Sequence, residues 1–398
     1  MSDDDQPLVK RQKTTMFGLP SPATPGLMLT AMPTLVNAAP SDESTTLDVC
    51  GEGDIVLMVD TVGGSTTPIG IRVSSQVLSI TSPVFKRMFQ TSNEATGGID
   101  GTTCRSDNAK VVRLPDDDGD TIFLLMNVLH LRNDSLPARI ESNALSHFAA
   151  IVTKYDCVNA AGRAASTWFD HIYAKCGNPP LFQMVEAAYL LNDAVWFARF
   201  TSRFVLNEPL GQEASKLGSH PERYDLANAV LARQRQAKAE LKCDLDLLVE
   251  PCAEALASNT QHLMGCAPDD DKTDFDVEQR PEGCYVDKEG GTECLVNLRD
   301  DNLWPSTRWS NILRTTVDAI AVHIPPDLNR IDECYFCIDV EEKFAAALQL
   351  VRAMHKERLW GLCLDCYKHN GLYIGECRYD HFKISTVAAA TYRPANGN

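Results

Sequence analysis

The feature that most constrains the fold of this chain is a pair of short β-branched runs followed at once by helix-like patterns. The runs Ile55–Val59 and Ile69–Val73 are separated by a turn at Gly63-Gly64. Runs of this length between turn residues are typical of buried strands. Ser82 then precedes Pro83. That pair predicts the start of a helix, because a serine hydroxyl can accept a free backbone N–H and proline suits the first helical position.

The rest of the chain adds one strand and many helices. A third strand is predicted at Lys110–Leu114, and Pro115 with the aspartates after it marks the next helix start. From Ser142, which we expect to cap a helix, apolar residues recur at helical spacing as far as Leu248. The sequence therefore predicts an α+β protein, in which a small sheet flanked by a helical cluster is followed by a mainly α-helical C-terminal region.

The residues that fill this order of elements resemble the BTB/POZ family. Arg72–Phe89 resembles the most diagnostic stretch of the family, in which Leu78, Ser82 and Phe85 lead into a helical hairpin. The other stretches that resemble the family are, in chain order, Gly53–Val59, Val112–Asp118, Phe123–His130 and Lys154–Cys157. The amino-acid sequences of Val73–Phe85 and of Leu129–Asn133 are similar to the corresponding sequences in BTB proteins of filamentous fungi. In those proteins a helical extension commonly follows the domain.

The resemblance implies a protein that binds a protein partner through its BTB domain and is not an enzyme. Homodimerisation or scaffold assembly is the commonest use of the fold, and two alternatives stay open. A substrate adaptor for a cullin-type ubiquitin ligase would carry a hydrophobic-x-Glu motif where this chain has Gly98-Ile99-Asp100. A transcription-associated factor with a C-terminal zinc element would need a basic face near Lys356–Lys368, where acidic residues offset the basic ones.

Five segments are predicted from composition and periodicity. They are a disordered N-terminal arm at 1–49, the BTB/POZ domain at 50–175, a helical extension at 176–264, an acidic linker or insertion at 265–305 and a helical, cysteine-rich region at 306–390. The arm is rich in Ser, Thr, Pro and Ala and has no sustained period. The linker is rich in charge and glycine and also lacks a period.

Charge and motifs exclude several function classes. The net charge of -17 disfavours binding to nucleic acid and to anionic membranes, both of which need clustered Lys and Arg. The sequence has no long apolar run, and Met1–Asp5 does not resemble a signal peptide, so we expect an intracellular protein, cytoplasmic or nuclear. The hydrolase, zinc-protease, P-loop and dinucleotide-binding signatures are all missing from the sequence. We therefore expect no catalytic site and no organic cofactor.

The C-terminal cysteines are the candidate metal ligands. Cys334 with Cys337 and Cys363 with Cys366 form two C-x-x-C pairs, and Cys377 and His381 follow at finger-like spacing. One alternative is a structural zinc ion bound by Cys363, Cys366, Cys377 and His381, and another is an ion shared by the two pairs. The third, which the sequence slightly favours, is that these cysteines are buried core residues separated by one amphipathic helix.

Overall fold

The computed structural model describes residues 46–59, 68–94, 109–175, 180–217, 224–265, 287–325, 335–369 and 377–379. The chain divides into two compact units, Met1–Pro137 and Ala138–Asn398. This division falls inside the range 50–175 that the sequence analysis assigns to one domain. The described residues form a four-stranded sheet and otherwise mostly helices, so the chain is of mixed α+β class, as predicted.

The first unit contains the sheet. Its strands are β1 (Thr46–Asp48), β2 (Ile55–Val59), β3 (Ile69–Val73) and β4 (Lys110–Leu114), in the order β1-β3-β2-β4. Strand β2 pairs antiparallel with β3 and parallel with β4. The three predicted strands are confirmed with the bounds that the sequence indicates, because each is a short apolar run with turn-forming or polar residues at its ends.

Strand β1 corrects the prediction that the whole of residues 1–49 is disordered. It pairs parallel with β3, with Leu47 opposite Ile71, and the Val49 side chain beyond it is buried. The Asp48 carboxylate also lies 3.3 Å from Nε of Arg72. A three-residue strand is too short to show a period in the sequence, and only the exposed edge of β3 provides its partner. Residues 1–45 of the predicted arm lie outside the described residues.

The described part of the first unit also contains three α-helices and a short 3-10 helix at Asn133–Ser135. The α-helices are α1 (Ser75–Thr81), α2 (Pro83–Glu94) and α3 (Gly119–Leu129). The predicted start of α2 is confirmed: Pro83 is its first residue, and Ser82 Oγ accepts a 3.1 Å hydrogen bond from Phe85 N. Leu78 and Phe85 are fully buried. The residues with which the sequence marks this helical pair are therefore core residues of the first unit.

The regular secondary structure of the second unit is helical throughout its described residues. Its helices are α4 (Ser142–Lys154), α5 (Val158–Lys175), α6 (Leu181–Leu190), α7 (Ala194–Asn207), α8 (Ala214–Leu217), α9 (Tyr224–Gly265), α10 (Asp287–Asp300), α11 (Leu313–Val322), α12 (Tyr335–Glu357) and α13 (Leu364–Lys368). Helix α4 begins at Ser142, but its N-cap is Glu141, so the predicted serine cap is wrong by one residue. Across the described ranges, no helix has both the length and the apolarity that crossing a bilayer requires.

Helix α10 corrects the predicted acidic linker at 265–305. It occupies Asp287–Asp300 and packs against α9, with Cys294 and Leu298 buried on one face. The sequence does not predict this helix, because Gly290-Gly291 and the many charged residues leave too few apolar residues to show a helical period. Residues 266–286 of the predicted linker lie outside the described residues.

One apolar core of the second unit lies along α9. Buried side chains of α9, α10, α11 and α12 form one apolar cluster, which also takes in residues from the end of α7. Its members include Val205, Leu241, Leu245, Leu248, Leu298, Ile320, Phe344, Leu348, Val351 and Trp360. Trp360 lies just beyond α12, so this cluster holds the chain that leads into α13.

Candidate metal centre

Three cysteine side chains meet at α13. The Sγ atoms of Cys363, Cys366 and Cys377 all lie within 4.8 Å of one another, and those of Cys366 and Cys377 are 3.6 Å apart. Sulfur ligands of a tetrahedral zinc ion at about 2.3 Å stand roughly 3.8 Å from each other. The three thiols are therefore close enough to bind a single metal ion.

The local chain explains the position of the first two thiols. Cys363 is the N-cap of α13, and Cys366 lies three residues further along the helix. Residues three apart in a helix lie on the same side, so the C-x-x-C spacing brings the two sulfurs together. Cys363 is buried, with 6% of its surface exposed, whereas Cys366 and Cys377 are partly exposed.

An ion pair between the buried Asp365 and the partly exposed Arg378 brings in the third thiol. Asp365, between the first two cysteines, accepts hydrogen bonds from Arg378 N at 2.8 Å and from its Nη2 at 2.7 Å. The hydrogen bonds from Arg378 hold the pKa of the Asp365 carboxyl below its usual value. Arg378 directly follows Cys377 in the chain. The Asp365–Arg378 pair therefore holds the Cys377 backbone beside α13.

The turn between α6 and α7 supports this pair. Asn192 has a left-handed backbone, with φ of 54°, a conformation that asparagine adopts more readily than most residues. Its carbonyl oxygen accepts a 2.8 Å hydrogen bond from Arg378, and its side-chain oxygen accepts one of 2.7 Å from Lys368. The Tyr367 ring stacks on Phe197 of α7. Helix α13 and Arg378 are therefore attached to the α6–α7 turn through Asn192, and α13 is attached to α7 through Tyr367 and Phe197.

The chain that enters α13 is also held at defined points. Gly361 N donates a 2.9 Å hydrogen bond to Ser202 Oγ, and Leu362 N donates one of 2.9 Å to Thr201 Oγ1. Arg233 of α9 donates to the Gly361 carbonyl at 3.2 Å. The position of the Cys363 backbone is thus set by two helices that are distant in sequence.

The surroundings of the thiols favour their protonated forms. Burial and hydrogen bonds with the neighbouring thiols raise the pKa of Cys377 to about 12. Burial also raises the pKa of Cys366, and the hydrogen bond with Cys377 offsets only part of that effect. A thiolate is the form that binds a metal ion, so binding here must release protons and become weaker as the pH falls.

The structure brings together three of the six predicted ligands. Cys334 and His381 lie outside the described residues, as does the side chain of Cys337, although its backbone belongs to α12. Whether the two C-x-x-C pairs share an ion therefore stays a prediction. The interpretation of these cysteines as core residues fits Cys363, which is buried, whereas Cys366 and Cys377 are partly exposed, and the three together could hold a metal ion.

Sequence reasoning missed the residues that support the centre. Asp365 inside the C-x-x-C pair and Arg378 after Cys377 are visible as an opposite-charge pair, but thirteen positions separate them. Asn192 lies 186 residues before Arg378, and no local pattern marks it. These contacts arise only when α7 and α13 pack together.

Comparison with known proteins adds no identification. No protein-family model matches the chain, and no curated protein gives a significant match.

Proposed function

We propose that this chain is a non-enzymatic protein-interaction molecule whose first unit carries a BTB/POZ-type fold. We further propose that its second unit is a helical scaffold closed by a structural zinc ion. The observation that carries the first proposal is the burial of the residues that resemble the family. The observation that carries the second is the cluster of three thiols at α13.

The topology of the first unit supports the BTB/POZ proposal. The β2–β3 hairpin is followed by the helical pair α1–α2, and the chain then returns to β2 through the parallel strand β4. Leu78, Ser82 and Phe85, which carry the sequence resemblance, all have no exposed surface. The residues that carry the resemblance to the family are therefore buried core residues of the first unit.

An exposed side chain supports self-association. Ile80 of α1 is 77% exposed, although it lies on the same helical pair as the buried Leu78 and Phe85. Covering a large aliphatic side chain at an interface contributes about 1.5–3 kcal/mol. A second copy of the chain that packs against α1 would remove this apolar surface from water.

We expect the full chain to have twice its chain mass of 43.8 kDa in size exclusion with light scattering. Ile80→Asp should weaken the dimer at least about tenfold, because it replaces apolar burial with a carboxylate that would lose water. Leu350→Asp is the matched control, since Leu350 is an exposed aliphatic residue of α12 in the second unit and should leave the mass unchanged.

A monomeric wild-type chain at tens of micromolar would contradict self-association. A cullin that co-purifies with that monomer would then favour the ubiquitin-ligase adaptor. Specific binding of the monomer to DNA would favour the transcription-associated factor. Equal effects of Ile80→Asp and Leu350→Asp would argue against an interface on α1.

The donor set supports zinc as the ion. Three thiolates are soft ligands that suit zinc, and structural zinc sites commonly complete their shell with a histidine. His381 follows Cys377 by four residues and is the fourth ligand that the sequence proposes. Four protein ligands leave no position for a reacting water, so the ion would link Cys377 to α13 and perform no chemistry.

We expect elemental analysis of the purified full chain to find one zinc ion per chain. Cys363→Ser should reduce the zinc content to near zero, because a hydroxyl is a poor replacement for a thiolate ligand. Cys243→Ser, at an exposed cysteine of α9, is the matched control and should retain the ion. Equal zinc contents in the two variants would place the ion elsewhere, and a wild-type chain free of zinc would overturn the proposal.

A further inference from the structure

We propose that Cys366 and Cys377 form a reversible disulfide when the centre meets a peroxide. This proposal concerns the same thiols as the zinc proposal and adds a mode of regulation to that site. The bond itself requires the two thiols and the peroxide but no metal, so it can be tested with or without a bound ion.

The distance between the two sulfurs supports this pairing. The Sγ atoms are 3.6 Å apart, and a disulfide bond is about 2.05 Å long, so they must approach by only about 1.5 Å. Arg378 anchors the Cys377 backbone to Asp365, which keeps the two cysteines together while side-chain rotation closes the gap. The fold thus presents a dithiol that is already close to bonding distance.

Exposure selects these two thiols from the three. Cys366 and Cys377 are partly exposed, whereas Cys363 is buried behind them. An oxidant in solution therefore reaches Cys366 or Cys377 first. The other partly exposed thiol lies 3.6 Å from it, whereas the competing partner, Cys363, is within 4.8 Å but buried.

A second dithiol in the chain provides an internal comparison. Cys252 of α9 and Cys294 of α10 lie side by side in the core, and their hydrogen bond, together with burial, raises the pKa of Cys252. Both thiols are almost completely shielded from solvent. If proximity alone decided reactivity, this pair would oxidise as readily as the pair at α13. If access decides it, the core pair stays reduced.

The reaction balances with hydrogen peroxide as the oxidant. Because the surroundings favour the protonated thiols, the species that reacts is the minor thiolate form, whose sulfur attacks a peroxide oxygen, forms a sulfenic acid and releases hydroxide. The second thiolate then attacks the sulfenic sulfur, which forms the S–S bond and releases another hydroxide. With the two thiol protons, the products are one disulfide and two water molecules, and two electrons pass from sulfur to oxygen.

The bond would change what holds the C-terminal segment. A disulfide removes two of the four proposed ligands, Cys366 and Cys377, from the metal centre, so a bound ion would lose half of its ligands and be released. The Cys377 segment would nevertheless stay joined to α13, now by a covalent bond. The second unit would thus exchange a metal cross-link for a disulfide that a thiol reductant can open.

The test treats the purified full chain with hydrogen peroxide and maps its disulfides by mass spectrometry after alkylation of the remaining thiols. We expect a linked peptide pair that contains Cys366 and Cys377, reversal by dithiothreitol, and alkylated Cys252 and Cys294. Cys377→Ser should abolish the linked pair, whereas Cys252→Ser should not affect it. A bond between Cys363 and Cys366, a bond between Cys252 and Cys294, or no disulfide at all would overturn the proposal.

The two proposals for this site can fail separately. The zinc content measured before oxidation tests the structural ion. The linked peptide, sought in chain pretreated with a chelator, tests the dithiol. A chelated chain that forms the bond supports the dithiol even if the wild-type chain holds no zinc.

Discussion

Replacing Asp244 with asparagine should lower the free energy of unfolding by about 3–5 kcal/mol. The Asp244 carboxylate is 6% exposed and accepts hydrogen bonds from His355 at 2.9 Å and from Arg358 at 2.6 and 3.0 Å. Without this charge, the Arg358 guanidinium keeps the more distant Glu240 carboxylate, at 3.9 Å, and the face of the Trp360 ring, 5.0 Å away. A poorly paired cation near the core is costly, because the folded chain replaces little of its hydration.

Guanidinium unfolding, followed by circular dichroism, measures the effect. Asp246→Asn is the matched control, since Asp246 is an exposed aspartate of the same helix α9 and its replacement should change stability by less than about 0.5 kcal/mol. Similar losses in the two variants would show that the buried network does not distinguish Asp244 from a surface carboxylate.

The same network predicts how stability depends on pH. Burial alone would raise the pKa of Asp244, but the hydrogen bonds from His355 and Arg358 outweigh it and hold that pKa below 3.8. Below about pH 4 the unfolded chain therefore binds a proton that the folded chain still lacks, so stability falls as the pH falls. Above about pH 4 the Asp244 carboxylate makes its full contribution to the stability of the folded chain. Asp244→Asn should reduce the acid sensitivity, which denaturation midpoints at pH 3 to 6 would reveal.

Gly361→Ala should destabilise the second unit by about 3 kcal/mol. A Cβ atom at Gly361 would lie closer than 3.0 Å to the backbone nitrogen of Ser202 and to Thr201 Oγ1. Both atoms belong to α7, and Thr201 Oγ1 accepts the hydrogen bond from Leu362 N. The chain must therefore move away from α7 just before Cys363, so zinc binding should weaken in the same variant.

Gly162→Ala is the control for this substitution. Gly162 lies within α5, and no atom comes within 4 Å of the position that its Cβ would occupy. Alanine should therefore stabilise the helix there by about 0.5–1 kcal/mol, an effect opposite in sign. Thermal unfolding of both variants gives the comparison, and destabilisation by both would mean that close approach to α7 is not the cause.

Local signals in the sequence determined the elements of the first unit. The bounds of β2, β3 and β4 follow from short apolar runs, and the start of α2 follows from Ser82-Pro83. Each of these patterns involves residues only a few positions apart, so it can be recognised without knowledge of the tertiary structure. The spacing of Cys363, Cys366 and Cys377 also predicted a candidate ligand set, although the sequence slightly favoured a core role for these cysteines.

Tertiary structure alone decided the elements and contacts that depend on distant partners. Strand β1 exists because β3 offers it an edge, and α10 packs because α9 provides an apolar surface for Cys294 and Leu298. Asn192, Asp365 and Arg378 meet only where α7 and α13 come together. Such contacts join residues far apart in sequence, and their energy comes from packing and from the pairing of buried charges. Neither leaves a local pattern in the sequence.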